Sequence, residues 1–281
     1  MRYIAVKEFA EIRDPAVAGT FYPRNASALK AQIAELLAQV PSNRISGQVV
    51  GLISPHAGYM YSGFTAAHGY RQLEGRAYRT VVVVSPSHRE YFDGISVYSG
   101  HAYRTPLGDV EVDRDLREEL ARGGGSIVIS QFGHREEHAV EVQVPFLQAV
   151  LRSFMVLPVV MGDQRREYCF ALGERLGTIL KGKDTLLVAS TDLSHYYHYD
   201  VCRKLDSVFV DAVKKFDYEQ LMSDLETERT EACGGGPTVA VMIAAKVLGS
   251  ERVEVLHQCN SGDVSGQKSQ VVGYMSGVLW S

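Results

Sequence analysis

The sequence predicts an α/β protein, a three-layer α/β/α sandwich on a mixed central sheet. Three observations carry that expectation. Short β-branched runs recur along the chain, amphipathic helical patterns separate several of them, and other neighbouring runs have no helix between them. Strands alternating with helices pair in parallel through crossovers, whereas directly consecutive strands turn back antiparallel, so both together imply a mixed sheet.

In chain order, Leu29, Ile33, Leu36, Leu37 and Val40 recur at helical spacing and predict the first helix. "VVGLIS" (49–54), "TVVVVS" (80–85), "FMVLPVV" (154–160) and "TLLVAS" (185–190) are continuously apolar and read as strands buried on both faces. "GISVYS" (94–99), "SIVIS" (126–130), "VEVLHQ" (253–258) and "QVVGYMSGVLW" (270–280) add further strands. "AVEVQVPFLQAVL" (139–151) sets Val140, Val144, Leu147 and Leu151 on one buried helical stripe, with Pro145 as an expected kink. Behind Asp200, a candidate N-cap, Leu205, Val208, Phe209, Ala212, Val213 and Phe216 predict another helix. Pro237 opens a last, apolar helix after three glycines. No Pro/Gly/Ser-rich linker, repeat or low-complexity tract divides the chain, which predicts one domain over residues 1–281.

Composition narrows the function classes. With 46% hydrophobic and 22% charged residues, the 281-residue chain can bury a large core, and a net charge of −4 argues against a general nucleic-acid or anionic-membrane binder. No apolar stretch approaches the roughly 18 residues of a membrane span, and "MRYIAVKEFAEIRD" lacks the apolar centre of a secretory signal, so a cytoplasmic location is expected. Cys169, Cys202, Cys233 and Cys259 form no Cys-x-x-Cys pair and read as free thiols.

Three strand-like runs end alike: "LIS" then Pro55-His56, "VVVVS" then Pro86-Ser87-His88, and "LLVAS" then Thr191-Asp192-Leu193-Ser194-His195. Open α/β sheets bind ligands beyond the carboxyl ends of their strands, so His56, His88 and His195 can share one crevice. One such histidine alone reads as a turn residue; three together read as a site. Cys233, just ahead of a helix, is placed to be a ligand or nucleophile whose thiolate the unpaired helical N–H groups would favour, or else a small residue packed in a turn. Glycines 234 to 236 offer an anion cradle but match neither phosphate-binding fingerprint. "HREEH" (134–138) has the H-x-x-E-H spacing of inverted zinc peptidases, with His134 and His138 one helical turn apart but no third ligand; the alternative is a polar helix start with Glu136 and Glu137 at its positive end. Glu137, His138 and Glu141 are expected to face the crevice as supporting partners. Phe21, Tyr59 and Tyr61 either line a pocket or pack, and Arg89 is a candidate anion contact.

Together, "AVAGTFYP", "ISPHAGYMYSG", "SPSH", "YRTPLGDV", "EEHAVEVQVPFL", "TDLSHY" and "CGGGP" resemble the Memo family, in the family's order over roughly residues 14 to 280. The resemblance implies a fold similar to the class III extradiol dioxygenases, whose non-haem iron sits on two histidines and a glutamate. It implies His56, His88 and Cys233 as the metal-binding trio, with His195 and Asp192 beside them, and iron or copper as the metal. It also implies peptide ligands, since animal members are described as phosphotyrosine-peptide binders, and radical-SAM and AMMECR-type proteins as partners of microbial members. This sequence departs from the animal pattern with Phe21 where those proteins have tryptophan, and a cysteine in place of the dioxygenase carboxylate is softer, tolerates zinc and can itself be oxidised.

Two expectations follow. The preferred one is a metal-dependent redox enzyme with iron or copper on His56, His88 and Cys233, His195 as acid/base and Asp192 orienting it. Dioxygen or a small organic molecule would take the open coordination position; the alternative is a non-enzymatic protein that binds a peptide, a phosphorylated group or a partner protein in the same crevice.

Overall fold

The computed structural model describes residues 11–42, 44–122 and 124–281. Among these, twelve strands and nine α-helices alternate much as the hydrophobic runs predict. The strands are β1 (Ile12–Arg13), β2 (Val49–Ser54), β3 (Thr80–Pro86), β4 (Ile95–Tyr98), β5 (Ala102–Thr105), β6 (Gly108–Glu111), β7 (Ile127–Ser130), β8 (Met155–Met161), β9 (Thr185–Ser190), β10 (His195–Tyr197), β11 (Arg252–Asn260) and β12 (Val271–Trp280). The helices are α1 (Ala26–Ala38), α2 (Tyr59–Tyr70), α3 (Arg114–Ala121), α4 (Gln143–Val150), α5 (Arg166–Ile179), α6 (Tyr199–Lys214), α7 (Tyr218–Glu226), α8 (Gly235–Val247) and α9 (Ser261–Ser265).

The main sheet runs β10-β12-β2-β9-β3-β8-β4-β7, with β11 also paired to β12. Its centre is parallel, β2 on β9, β9 on β3 and β3 on β8. Antiparallel pairs flank it, β12 against β2 on one side and β4 against β8 on the other, so the sheet is mixed as predicted. A small sheet of β1, β5 and β6 lies apart.

Side-chain alternation explains why both faces need a helical layer. In β3, Val82 and Val84 join the core under α5 and α8, while Val81 and Val83 join the core that holds α1, α2 and α4. A strand apolar on both faces is stable only when both are covered, which is the physical basis of the three layers. No helix among the described residues is long and apolar enough to cross a membrane.

Three local expectations are corrected. Pro145 does not kink a helix: α4 begins at Gln143, so the proline sits in the first turn, where its missing N–H breaks no helical bond. Asp200 lies inside the first turn of α6, whose N-cap is His198, and so meets the positive helix end instead of capping it. Residues 134 to 138 are turn and loop, so the helical face expected for His134 and His138, with Glu136 and Glu137 at its start, does not exist.

The topology has one consequence for chemistry. Strands β2, β9 and β3 are immediate neighbours and parallel, so the segments that follow Ser54, Ser190 and Pro86 emerge side by side at one edge of the sheet.

Candidate metal centre

His56 follows β2 and is 1% exposed. Its backbone N–H donates to Asp192 Oδ1 at 2.8 Å, and its ring Nδ1 lies 2.9 Å from Ser190 Oγ. The Ser190 hydroxyl already donates its proton to the Ala139 carbonyl at 2.7 Å and accepts from Gln143 Nε2 at 2.7 Å. With that proton committed, His56 Nδ1 must carry the hydrogen, which leaves Nε2 as the ring's lone-pair nitrogen, facing Cys233. Burial, and next the neighbouring His88, push the His56 pKa well below the usual imidazole value, so the ring stays neutral and able to ligate.

His88, after β3, is oriented by a carboxylate. Its backbone N–H and ring Nδ1 both donate to Glu137, the ring at 2.9 Å, and again Nε2 is left over. Burial raises the Glu137 carboxyl, but the hydrogen bonds and charge of His88 outweigh it and hold the group at about 2. Glu137 Oε1 also accepts the N–H groups of His138 and Ala139 at 2.8 and 2.9 Å, so one buried carboxylate organises the loop that carries the next histidine.

His138 is the third member. Its ring stacks on His88 at a centroid distance of 4.7 Å and stands edge-on to His56 at 5.4 Å. Its buried Nδ1 lies 3.3 Å from Glu137 Oε1 but in the wrong direction for a hydrogen bond, and is left without a partner. Burial and the neighbouring His56 lower its pKa to about 4. One nitrogen from each of His56, His88 and His138 lies within 4.8 Å of the other two, the one such grouping among the described residues compact enough for a metal ion.

Cys233 borders this cluster, its Sγ 3.1 Å from His56 Nε2. Cys233 N–H donates to the Asp192 carbonyl and Asp192 N–H to the sulfur, each at 3.2 Å, which ties the two segments together. The expected thiolate-favouring helix terminus is not realised: burial first, and then Asp192, push the thiol well above its ordinary pKa. The N–H groups that would have opposed this are engaged, Gly234 with Thr191 Oγ1 at 3.0 Å and Gly236 with Gln164 Oε1 at 2.8 Å, while Pro237 has none. The same bonds remove the anion cradle. The glycines serve close packing instead, since a Cβ on Gly234 would come 2.2 Å from the Ser190 carbonyl oxygen.

A cavity of about 740 Å³ opens in front of the cluster, lined among others by Phe21, Met60, Tyr61, Asp192, His195, Tyr196, Glu231 and Tyr274. His195 reaches it from β10, with its backbone N–H on Glu231 Oε1 at 2.9 Å. Asp192 orients His56 through its carboxylate, where the sequence suggested His195. Phe21 packs on the His138 ring at 4.9 Å. Tyr59 does not line the wall: at 2% exposed it belongs to the core, its hydroxyl on the Val142 carbonyl, because the first turn of α2 directs it inward and Met60 and Tyr61 outward. Arg89 is exposed and outside the lining. Glu141 turns away from the crevice to bind Arg13, the Tyr22 hydroxyl and the N–H groups of Ala16 and Val17. His134 is 0% exposed and bonded to the Tyr103 hydroxyl, so "HREEH" supplies one histidine to the cluster and not a pair.

The sequence missed His138 as a direct member, and Ser190, Gln143 and Glu231 altogether. No local motif marks them. Only the adjacency of β2 and β9 brings Ser190 to His56, and only the hydroxyl bookkeeping gives it a role.

A model of the Memo family, described as Memo-like protein, matches residues 13–278. The chain belongs to the Memo family. It is 36% identical over 268 residues to a MEMO1 family protein of Nitrosopumilus maritimus, covering 94% of this chain and 98% of that one. A MEMO1 family protein of Aquifex aeolicus is 38% identical over 265 residues, with 94% and 97% covered. Among solved structures, the Memo-family fold here resembles the crystal structure of the uncharacterized protein JW3007 from Escherichia coli K12. That match has a TM-score of 0.52 at 15% identity, covers 82% of this chain and 99% of that one, and speaks to fold alone.

Proposed function

We propose that this Memo-family protein is a metal-dependent redox enzyme that holds iron or copper, with zinc as a tolerated substitute, at the His56, His88 and His138 cluster beside Cys233. The observation that carries the reading is the convergence of three imidazole nitrogens within 4.8 Å, two of them fixed in the tautomer that presents Nε2. The orphaned Nδ1 of His138 and the soft Sγ against His56 fit the same donor set, one suited to iron, copper or zinc.

Iron or copper bound there would supply one-electron chemistry and a Lewis-acidic position. The chain's own residues do the rest. Ser190 and Glu137 orient the donors, Phe21 and Tyr61 line the cavity wall, and His195 takes or gives a proton at the ring it presents to the cavity. The anion-binding alternative has less support, because Arg89 lies outside the cavity and the glycine N–H groups are engaged.

Elemental analysis of untagged protein, followed by oxygen-uptake assays on the metal-loaded form, tests the proposal. We expect near-stoichiometric iron or copper that His88→Ala abolishes. Protein that neither carries nor takes up either metal would sink the reading.

A further inference from the structure

The charge pattern of the cavity limits what can enter it. Its lining includes two carboxylates, Asp192 and Glu231, and no lysine or arginine. A pocket built for a phosphate or carboxylate group uses cationic forks, of which this one has none, and the N–H groups of Gly234 and Gly236 at the start of α8 are already engaged.

The two carboxylates are not equivalent. Asp192 is buried and occupied with the backbone of His56. Glu231 is half-buried; Oε1 accepts the His195 N–H at 2.9 Å and Oε2 the Tyr197 hydroxyl at 3.1 Å. An ionised carboxylate has about four acceptor positions, so two bonds fix Glu231 in place and leave capacity for a further donor. No ion pair to it occurs among the described residues. The same cavity is lined by Phe21, Tyr61, Tyr196 and Tyr274. Tyr196 is 70% exposed with φ of 64°, a left-handed backbone uncommon for a bulky residue, at the irregularity where β10 pairs with β12. Aromatic side chains with a fixed carboxylate and no lysine or arginine in the lining form an environment for a positive charge on an apolar body.

We propose that the cavity takes an arylalkylamine, its ring against the tyrosine and phenylalanine side chains and its ammonium group on Glu231. The inference deepens the functional reading and rests on its assignment of this cavity as the ligand site, but not on the presence of the metal.

The test is a matched series in calorimetry on the full chain, both metal-free and metal-loaded: tyramine, p-cresol, 4-hydroxyphenylacetate and phenyl phosphate. These share the phenyl ring and differ in charge. We expect tyramine to bind tighter than either anion by on the order of tenfold, the scale of one charge-assisted hydrogen bond. The isosteric Glu231→Gln should reduce that preference to near unity, with metal content and melting temperature unchanged. Equal or tighter binding of an anion, no tyramine binding at millimolar concentration, or a preference that survives Glu231→Gln would overturn the proposal. If metal analysis fails while the metal-free protein still selects tyramine, the redox reading falls and the amine site stands; if metal binds but no amine is selected, the amine site falls and the redox reading stands.

Discussion

The two ends of the central strands present cavities of similar size and opposite character. At the carboxyl end, about 740 Å³ is fronted by the histidine cluster; at the amino end, about 870 Å³ is lined by residues such as Arg79, Asp113, Asp115, Glu119, Lys183 and Asp184, without a histidine or cysteine. The larger cavity is not the better candidate. At the amino end Lys183 and Asp113 are engaged: Lys183 Nζ lies 2.5 Å from Glu119 Oε2, and Asp113 caps α3 through the Leu116 N–H at 3.0 Å while holding the Thr80 hydroxyl. At the carboxyl end, groups behind the histidines consume Nδ1 of the His56 and His88 rings and turn each Nε2 lone pair outward, that of His56 toward Cys233. A site is marked by donors kept unsatisfied by a satisfied surrounding, and volume does not report that.

The largest effect should come from the donors themselves. His56→Ala or His88→Ala should weaken iron or copper binding by at least about 100-fold, above the range for supporting partners. Metal titration monitored by elemental analysis reads this, and near-native affinity in either variant would erase the distinction between the two ends. Next come the groups behind the rings. Ser190→Ala frees His56 Nδ1 of its acceptor, and Glu137→Gln replaces the carboxylate that orients His88. Each should cost about 10- to 100-fold in metal affinity with the ligands intact. A loss confined to folding stability would make these residues packing elements only.

Cys233 supplies a third contrast, in protons. Lowered pKa values keep His56 and His138 neutral at pH 7, so these rings release no proton when they bind metal. The raised pKa keeps Cys233 protonated at that pH, so ligation through sulfur must release one. Metal affinity should therefore climb about tenfold per pH unit between about pH 7 and 8.5 if the thiolate coordinates, and stay flat over the same range if only imidazoles do. Calorimetry in buffers of different ionisation enthalpy counts the proton directly.

Much of the scaffold was legible from periodicity. The runs at 49–54 and 185–190 coincide with β2 and β9, because a strand buried on both faces must be apolar throughout and the turn residues bound it. The strand-end histidines were legible for the same reason. What escaped was everything set by contact between distant segments. Nothing local in "HREEH" says that it forms a loop, that His134 turns to Tyr103, or that His138 turns to His88; the anchoring of that loop by Arg13, through the carbonyls of His134 and Glu137, lies more than a hundred residues away in sequence. Whether Tyr59 or Tyr61 lines the cavity was also not legible, since in a helix adjacent residues face different ways and only the docking of α2 decides which face is buried.

Packing at the carboxyl end gives a smaller expected effect. Gly234→Ala would drive a Cβ to 2.2 Å from the Ser190 carbonyl oxygen and 2.7 Å from Thr191 Cβ, where β9 ends and α8 begins. Overpacking of this kind costs about 1–3 kcal/mol, and here it should also weaken metal binding, because Ser190 is the His56 acceptor. A variant that melts early but binds metal normally would separate the glycine turn from the site.

The smallest effect belongs to the amino end and completes the contrast. Lys183 and Glu119 are 40% and 36% exposed, so their ion pair is solvated and screened and is worth at most about 1 kcal/mol. Lys183→Gln should leave metal affinity unchanged and shift denaturation by less than about 0.5 kcal/mol, the ordinary range for a surface change. The larger cavity would then be a solvated gap between the ends of β3, β9 and α3. A loss of metal or ligand affinity in Lys183→Gln would instead couple the two ends through the parallel strands that join them, and the contrast drawn from unsatisfied donors would have to include both.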